Sequence, residues 1–473
     1  SAEAGYAVLL SLQLDKTLKD SELATHLIES SAKYLESFPD DKRVAEVRHL
    51  KADQHMKLKD YHSAVIELDA VLLAQGAAMT ALKGAVLSKL SLSYFILEDF
   101  LKAEQNTVMA LKYETGTEQR KLLQERQAAS IYKQAEQAQQ AGDYAAAAEQ
   151  FLRVGNLVPN ASILAQAEYD GATAYISSSN WLAASKVLER FVARFPQHKL
   201  NLGAREKLAY VYGELGENTK AANSYGELAS LEPDPERKLI WISQSADLHQ
   251  QASNFPQAIK MLNRYIDHLA DRSMEYYEVM LRIADIEKSL GKTAAYRDKL
   301  KQISELIDKQ EPDLGIRQQG ADAALTLGRS YHDEFLSIAL KPPIKKTLSK
   351  KNRAMKQAMG FYIQADEYRI SNVTTASTFH IGELYSELSH ALLQSPVPTG
   401  LDSDETEMYH LMLEEQAFPF EEKSIALHTV NTERVSNGIY DQWIKNSFQA
   451  LGELQPGRYN KQEKVDTIIA ALN

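Results

Sequence analysis

The chain has 473 residues, 25% of them charged and 44% hydrophobic, which is long enough for several ordinary domains and too apolar for a disordered chain. A net charge of −11 argues against a broadly basic nucleic-acid-binding surface. The lack of cysteine excludes catalytic thiols, zinc–thiolate centres and disulfides, and no run of about 18 apolar residues is present to cross a membrane.

Residues 1–43 read as a first helical pair, in which Leu23, Leu27 and Ile28 lead to Tyr34, Phe38 and Pro39. The next pair carries Ala52, Tyr61, Ala64 and Leu68, and the one after it Tyr94, Phe100, Ala103 and Ala110. Residues 112–140 are rich in Gln, Glu and Ala and poor in bulky apolar groups, which predicts a longer, more exposed helix. From 128 to 270 one pattern recurs at a step of 37: Ala147, Ala184 and Ala221 are each followed by a bulky residue, Phe151, Leu188 or Tyr225, and then by Pro159, Pro196 or Pro233. A fourth copy, Ala258 with Leu262, has Ala270 in place of the proline. Ala135, Ala172, Ala209 and Ala246 keep the same step upstream. An aromatic three residues before the second-helix alanine recurs as Tyr61, Phe100, Tyr144, Trp181 and Phe255, placed to seal the turn between the helices.

Such self-similarity predicts stacked pairs of antiparallel helices. The alanines mark where the two helices meet closely, the bulky residue fills the space between repeats, and the proline ends the second helix because it lacks an N–H. A further repeat, with Ala284, Gly291, Leu300 and Ile303, runs to about Lys309. After Pro312 the alternation changes. One long helix is predicted over 314–340 and is broken by Pro342-Pro343; helices follow at 346–369, 373–394, 403–416, 419–437, 438–454 and 461–471.

The small–bulky–proline spacing resembles the tetratricopeptide repeat (TPR) family, although the family's first aromatic is absent and the step is 37, not about 34. The resemblance implies an all-α, right-handed superhelical solenoid of helix pairs followed by a helical C-terminal domain. The expected divisions are 1–120 (N-terminal repeats), 121–309 (regular array) and 310–473 (a C-terminal cap). Pro419-Phe-Glu-Glu-Lys, Tyr440-Asp-Gln-Trp443 and Ser447 to Tyr459 resemble the C-terminal end of large exported bacterial TPR proteins assigned to TonB energy-transduction systems. That resemblance implies an envelope scaffold.

Candidate chemistry is sparse. Glu387–His390 and Glu407–His410 form two Glu-x-x-His pairs, with His380 and Glu383 on the face of the first, but a Pro-containing loop separates the pairs and two exposed helix faces explain them better than a metal site. Leu290-Gly-Lys-Thr293 lacks the first glycine of a phosphate loop, Ile286 standing there. Lys341, Lys345, Lys346, Lys350, Lys351, Arg353 and Lys356 form a basic run with no acid among them. It reads as a solvated face, as a contact for anionic lipid or an acidic partner, or as a counterpart to the ten carboxylates of 370–422. By analogy with TPR proteins the first helix of each pair lines a concave groove, with Tyr132, Glu136, Gln139, Tyr169, Thr173, Glu206, Tyr210 and Asp247 as its side chains. None of these is cationic, so the groove is expected to suit a basic or neutral peptide and not a C-terminal carboxylate.

The expectation is a non-enzymatic scaffold with no cofactor and no nucleic acid, which binds other proteins or peptides, an inner-membrane TonB-type complex among them. A chain that starts at Ser1 has either a processed or an artificial end, and a removed leader would place it in the periplasm; the alternatives are a cytoplasmic adaptor and, in a different class, a metal-binding helical enzyme in the C-terminal part.

Overall fold

The computed structural model describes residues 1–14, 17–74, 77–269 and 271–460. All regular structure among them is helical. The chain divides into two compact units, Ser1–Asn254 and Phe255–Asn473, a partition different from the three segments read from the repeat spacing. Ala270 and the helix expected at 461–471 lie outside the described residues.

Unit 1 holds α1 (Ala2–Leu14), α2 (Asp20–Ser37), α3 (Val44–Lys57), α4 (Tyr61–Leu73), α5 (Ala77–Ile96), α6 (Phe100–Ala110), α7 (Thr117–Gln140), α8 (Tyr144–Leu157), α9 (Leu164–Ser177), α10 (Trp181–Arg194), α11 (Asn201–Glu214), α12 (Asn218–Leu231) and α13 (Pro235–Gln251). Each helix packs on the next, as in a TPR-like stack. In the regular stretch the helices are 14 residues long. The surplus over a 34-residue repeat sits in the six-residue connections after α8 and α10.

The repeat alanines form the contact that sets this spacing. Ala52, Ala64, Ala103, Ala135, Ala147, Ala172, Ala184, Ala209, Ala221 and Ala246 are all fully buried. Phe151 and Leu188 are buried beside them, whereas Tyr225 is only half-buried and Leu228 fills its repeat's core. The second helices end one residue before the cap that precedes Pro39, Pro159, Pro196 and Pro233, as a missing N–H requires.

A backbone motif accompanies the alanines. Two residues past the end of α3, α5, α7, α9, α11 and α13 stands a left-handed residue: Lys59, Glu98, Gly142, Ser179, Gly216 and Ser253. The next residue donates its N–H to the carbonyl five positions back, at 2.8–3.0 Å, closing a Schellman turn. The following helix is then capped by Asp60, Asp99, Asp143 or Asn180, whose side chain accepts an N–H three residues on at 3.0–3.3 Å.

Unit 2 holds α14 (Phe255–His268), α15 (Met274–Ser289), α16 (Thr293–Leu306), α17 (Leu314–Ser337), α18 (Ile344–Asp366), α19 (Ser371–Leu393), α20 (Ser403–Glu433), α21 (Gln442–Leu454) and α22 (Pro456–Tyr459). One core joins α15 and α16 to α17, α18 and α19. Gly320 and Gly328 let α17 meet two tyrosines, since a Cβ on them would stand 2.7 Å from Tyr368 and 2.6 Å from Tyr362. The Tyr368 hydroxyl, two residues past the end of α18, donates to Ser304 O at 2.6 Å and ties that end to α16.

Two expectations are corrected here. The helices expected at 403–416 and 419–437 are one helix, α20, which runs through Pro419. An interior proline removes one hydrogen bond at a cost of roughly 3 kcal/mol, and packing prevails: Leu413 and Ala417 before it and Ser424 and His428 after it are buried. The helix expected at 438–454 starts only at Gln442, because Gly438 is left-handed and Asp441 caps α21.

Ala184→Leu is expected to lower unfolding stability by about 1–3 kcal/mol through overpacking, while Lys186→Leu on the exposed face of α10 stays within roughly 0.5 kcal/mol of the parent. Urea denaturation read by circular dichroism checks both; equal effects would show the helix register to be wrong. Ser179→Gly, which relieves a left-handed serine, is expected to stabilise by about 1 kcal/mol in the same assay.

Candidate binding groove

In unit 1 the odd-numbered helices form one layer. Besides packing on their even-numbered partners, α3 meets α5, α5 meets α7 and α7 meets α9, while no consecutive even-numbered pair makes a comparable contact among the described residues. From α3 to α9 the odd-numbered helices are thus the layer whose members meet one another directly.

Side chains bridge this layer from one odd helix to the next. The Tyr6 hydroxyl on α1 donates to Glu46 on α3 at 3.1 Å. Lys89 on α5 reaches back to His49 at 2.8 Å and pairs with Asp53. Arg126 on α7 donates to Ser88 O on α5 at 3.0 Å. The Tyr132 hydroxyl on α7 donates to Asp170 on α9 at 2.6 Å, and its ring meets Phe151 edge-on at 5.0 Å. Burial, then the Asp170 carboxylate, raises the Tyr132 pKa and keeps this hydroxyl protonated. Lys207 on α11 lies over the Tyr169 ring of α9 at 5.6 Å, and Arg237 on α13 pairs with Glu206 on α11 at 2.6 Å.

The expected groove residues therefore divide. Tyr132, Tyr169 and Glu206 belong to these rungs. Glu136 pairs with Lys133 at 2.6 Å, and the Thr173 hydroxyl donates to Tyr169 O at 3.0 Å. Asp247 is half-buried on α13. Gln139 and Tyr210 are exposed, and Tyr210 stands edge-on to Trp181 with ring centroids 5.9 Å apart. The reading of an acidic lining is corrected. Lys89, Arg126, Lys207 and Arg237 interleave with the carboxylates, and the 37-residue step could have found them, since Tyr132 to Asp170 and Tyr169 to Lys207 are each one repeat apart within a residue.

The other sequence candidates lie in unit 2. Lys345, Lys346, Lys350, Arg353 and Lys356 are exposed on one face of α18 and have no carboxylate partner among the described residues. Lys351 does not belong with them. It turns inward, is 4% exposed, and donates to Phe335 O at 2.8 Å and Ile338 O at 3.1 Å, so it caps the C-terminal end of α17. Burial lowers its pKa. His390 packs its ring nitrogen on Ser386 O at 3.2 Å, Glu383 meets His428 at 3.2 Å, and Glu407 and His410 are exposed on α20. No group of three metal-ligand side chains occurs among the described residues. His380 is instead part of an aromatic cluster, stacked on Tyr362 at 5.2 Å.

Residues 124–236, which span most of α7 through the start of α13, match the family YfiO, described as an outer membrane lipoprotein. No curated protein matches the chain. Solved structures with similarity include a tetratricopeptide repeat protein from Parabacteroides merdae (12% identity over 58% of this chain and 97% of that one, TM-score 0.25). Naa15/Naa10 bound to HypK-THB gives 14% identity over 96% and 64%, TM-score 0.32, and the TPR domain of P58(IPK) gives 13% over 82% and 98%, TM-score 0.23. No helix among the described residues is long and apolar enough to cross a membrane.

The histidine cluster is expected to make unit 2 acid-sensitive. Burial first, then the charge of Arg329 and the neighbouring His332, pushes His380 down to about 3. Burial also lowers His332, against the pull of Asp333 and Glu383. Unfolded histidine titrates near 6.5, so the stabilisation from a neutral His380 is full above about pH 6.5 and is lost as pH falls toward about 3. One such group contributes at most about 1.4 kcal/mol per pH unit. Urea unfolding followed between about pH 7 and about pH 4 is expected to show a shallower pH slope for His380→Gln than for the parent; identical slopes would mean that His380 is not held neutral.

Proposed function

We propose that this chain is a non-enzymatic interaction scaffold of the bacterial cell envelope, which binds a peptide segment of a partner protein along the odd-helix face of unit 1. The observation that carries this reading is the odd-helix layer itself: a row of bridged polar and aromatic side chains that holds the helices in register while leaving Tyr210 exposed beside Trp181. Tyrosine and tryptophan combine apolar area with a polar tip and dominate binding hot spots. The rungs are already satisfied, so the face suits a segment read by shape and by aromatic contact. The envelope assignment is supported by the match of residues 124–236 to a family of outer membrane lipoproteins and by the likeness of 419–459 to exported TPR proteins; a TonB-type inner-membrane complex is the partner that the second likeness suggests. The uncompensated cations of α18 would hold such a scaffold against an anionic surface. We further assign the helices beyond 310 a capping role, because α17 and α18 cover Leu300, Ile303 and Ile307.

A photo-crosslinking residue at position 210 is expected to trap a partner in the native host, and one at position 186, on α10, is not. Tyr210→Ala should weaken the trapped complex about tenfold, the loss of a modest hot spot. Equal trapping at both positions would remove the groove from the proposal, and partners drawn only from the cytoplasm would replace the envelope scaffold by a cytoplasmic adaptor. A chain ending at Lys309 is expected to aggregate; a soluble monomer would show that 310–473 is not a cap.

A further inference from the structure

Unit 2 contains a cavity of about 440 Å³ that the repeat pattern does not explain. Its walls come from α15, α16, α17, α18 and α19, through Lys288, Tyr296, Arg329, Asp333, Tyr362 and His380 among others. The lining is rich in aromatic groups: Tyr296 and Tyr362 are buried, and Tyr362 and His380 stack with only 12° between their planes. The cations sit against these rings, Lys288 Nζ 5.3 Å from the Tyr296 ring centre and Arg329 donating to His380.

Arg329 is the unusual member. It is half-buried, and its guanidinium carbon lies 5.2 Å from the Trp443 ring centre. Its Nε donates to His380 Nε2 at 3.2 Å, its one hydrogen bond to protein among the described residues. No carboxylate stands within 4.0 Å of it among those residues. The other half-buried arginines of inter-helix contacts mostly do have one: Arg48 meets Glu67 at 2.8 Å, Arg153 meets Glu104 at 2.7 Å and Arg297 meets Glu334 at 2.6 Å. A partly desolvated guanidinium without a counter-ion is costly, and its two terminal nitrogens present a planar fork that matches a carboxylate in bidentate geometry.

The surroundings sharpen the ligand class. His380 accepts from Arg329, so it adds no charge on that side. His332, at 8% exposure, has its Nδ1 3.1 Å from the Tyr362 hydroxyl. The charged groups of the lining are then Lys288, Arg329 and Asp333, a net charge of one positive. A single negative charge on a flat apolar body matches this lining. We propose that this cavity binds a small aromatic carboxylate, with the carboxylate on Arg329 and the ring beside His380 and Tyr296. The carboxylate can be that of a free aromatic acid or that of a peptide ending in an aromatic residue. This site is separate from the odd-helix face of unit 1 and stands or falls independently of it.

Trp443, in contact with both Arg329 and His380, serves as the reporter. The full chain is titrated with phenylacetate, with phenylacetamide, and with acetyl-Gly-Phe as free acid and as amide, while tryptophan fluorescence is recorded for the parent and for Trp443→Phe. The expected result is a saturable change with one or both acids, absent from Trp443→Phe, and at least tenfold weaker binding of both amides. Binding of phenylacetate at an affinity equal to or better than that of the peptide acid assigns the site to free acids; binding of the peptide acid alone assigns it to a chain terminus. Arg329→Gln is expected to weaken binding at least tenfold, as loss of a charge-assisted pair does. If Arg329→Gln fails to fold, the acid–amide comparison on the parent decides alone. No saturable change up to about 10 mM, where even a weak contact registers, or amides binding as well as acids, would overturn the proposal.

Discussion

The first unit depends on one constraint: the two helices of each repeat must approach until nothing larger than a methyl group fits between them. Ala135 and Ala147, Ala172 and Ala184, and Ala209 and Ala221 are fully buried at that contact. Cores are packed to crystal-like density, so a contact of this kind fixes distance and register together. Consequences follow in order. The closeness demands a tight reversal between the helices, which the left-handed residue and its Schellman hydrogen bonds provide. Fixed pairs then stack with a constant offset, and a constant offset places Tyr132 over Asp170 and Tyr169 under Lys207. The bridged odd-helix face is thus a product of the alanine contact and not an addition to it.

The fold was legible because that constraint leaves its mark at single positions. An alanine, a bulky residue and a proline at a step of 37 are enough to define the helix pairs. The turn was less legible, although it recurs just as faithfully. Its left-handed residue is glycine at Gly142, Gly216 and Gly291 but lysine, glutamate or serine at Lys59, Glu98, Ser179 and Ser253. The hydrogen bonds that close it are made by backbone, so side-chain identity is only weakly selected. The aromatic that opens the next helix was visible, and the motif it follows was not.

Features outside the repeat pattern were legible in proportion to how local they are. The exposed cations of α18 are contiguous and were read as a run, yet the run concealed Lys351, whose burial depends on where α17 ends. Pro419 illustrates the reverse: a strong local signal for a helix end was overridden by packing of α20 on both sides of it. The cavity around Arg329 draws on residues from 288 to 380, none in a recognisable spacing. A pattern one repeat long cannot point to a site assembled across five helices.

The two candidate sites differ in the state of their charges, and that difference says how each can recognise anything. Along the odd-helix face the charged groups already have partners: Arg237 pairs with Glu206 at 2.6 Å, Arg126 donates to Ser88 O and Lys207 lies over the Tyr169 ring. A ligand that competed for them would have to replace existing hydrogen bonds, and the net gain from such an exchange is small. Recognition there falls to the aromatic surface and to shape, which favours an extended partner that gathers many weak contacts across several repeats. Arg329 has no counter-ion to surrender. A ligand carboxylate would add a hydrogen-bonded pair where a partly buried charge stands alone, so a molecule of few atoms could bind there. A broad, self-satisfied face and a small, unsatisfied cavity are therefore suited to partners of different size, and one chain can carry both without either competing for the other's ligand.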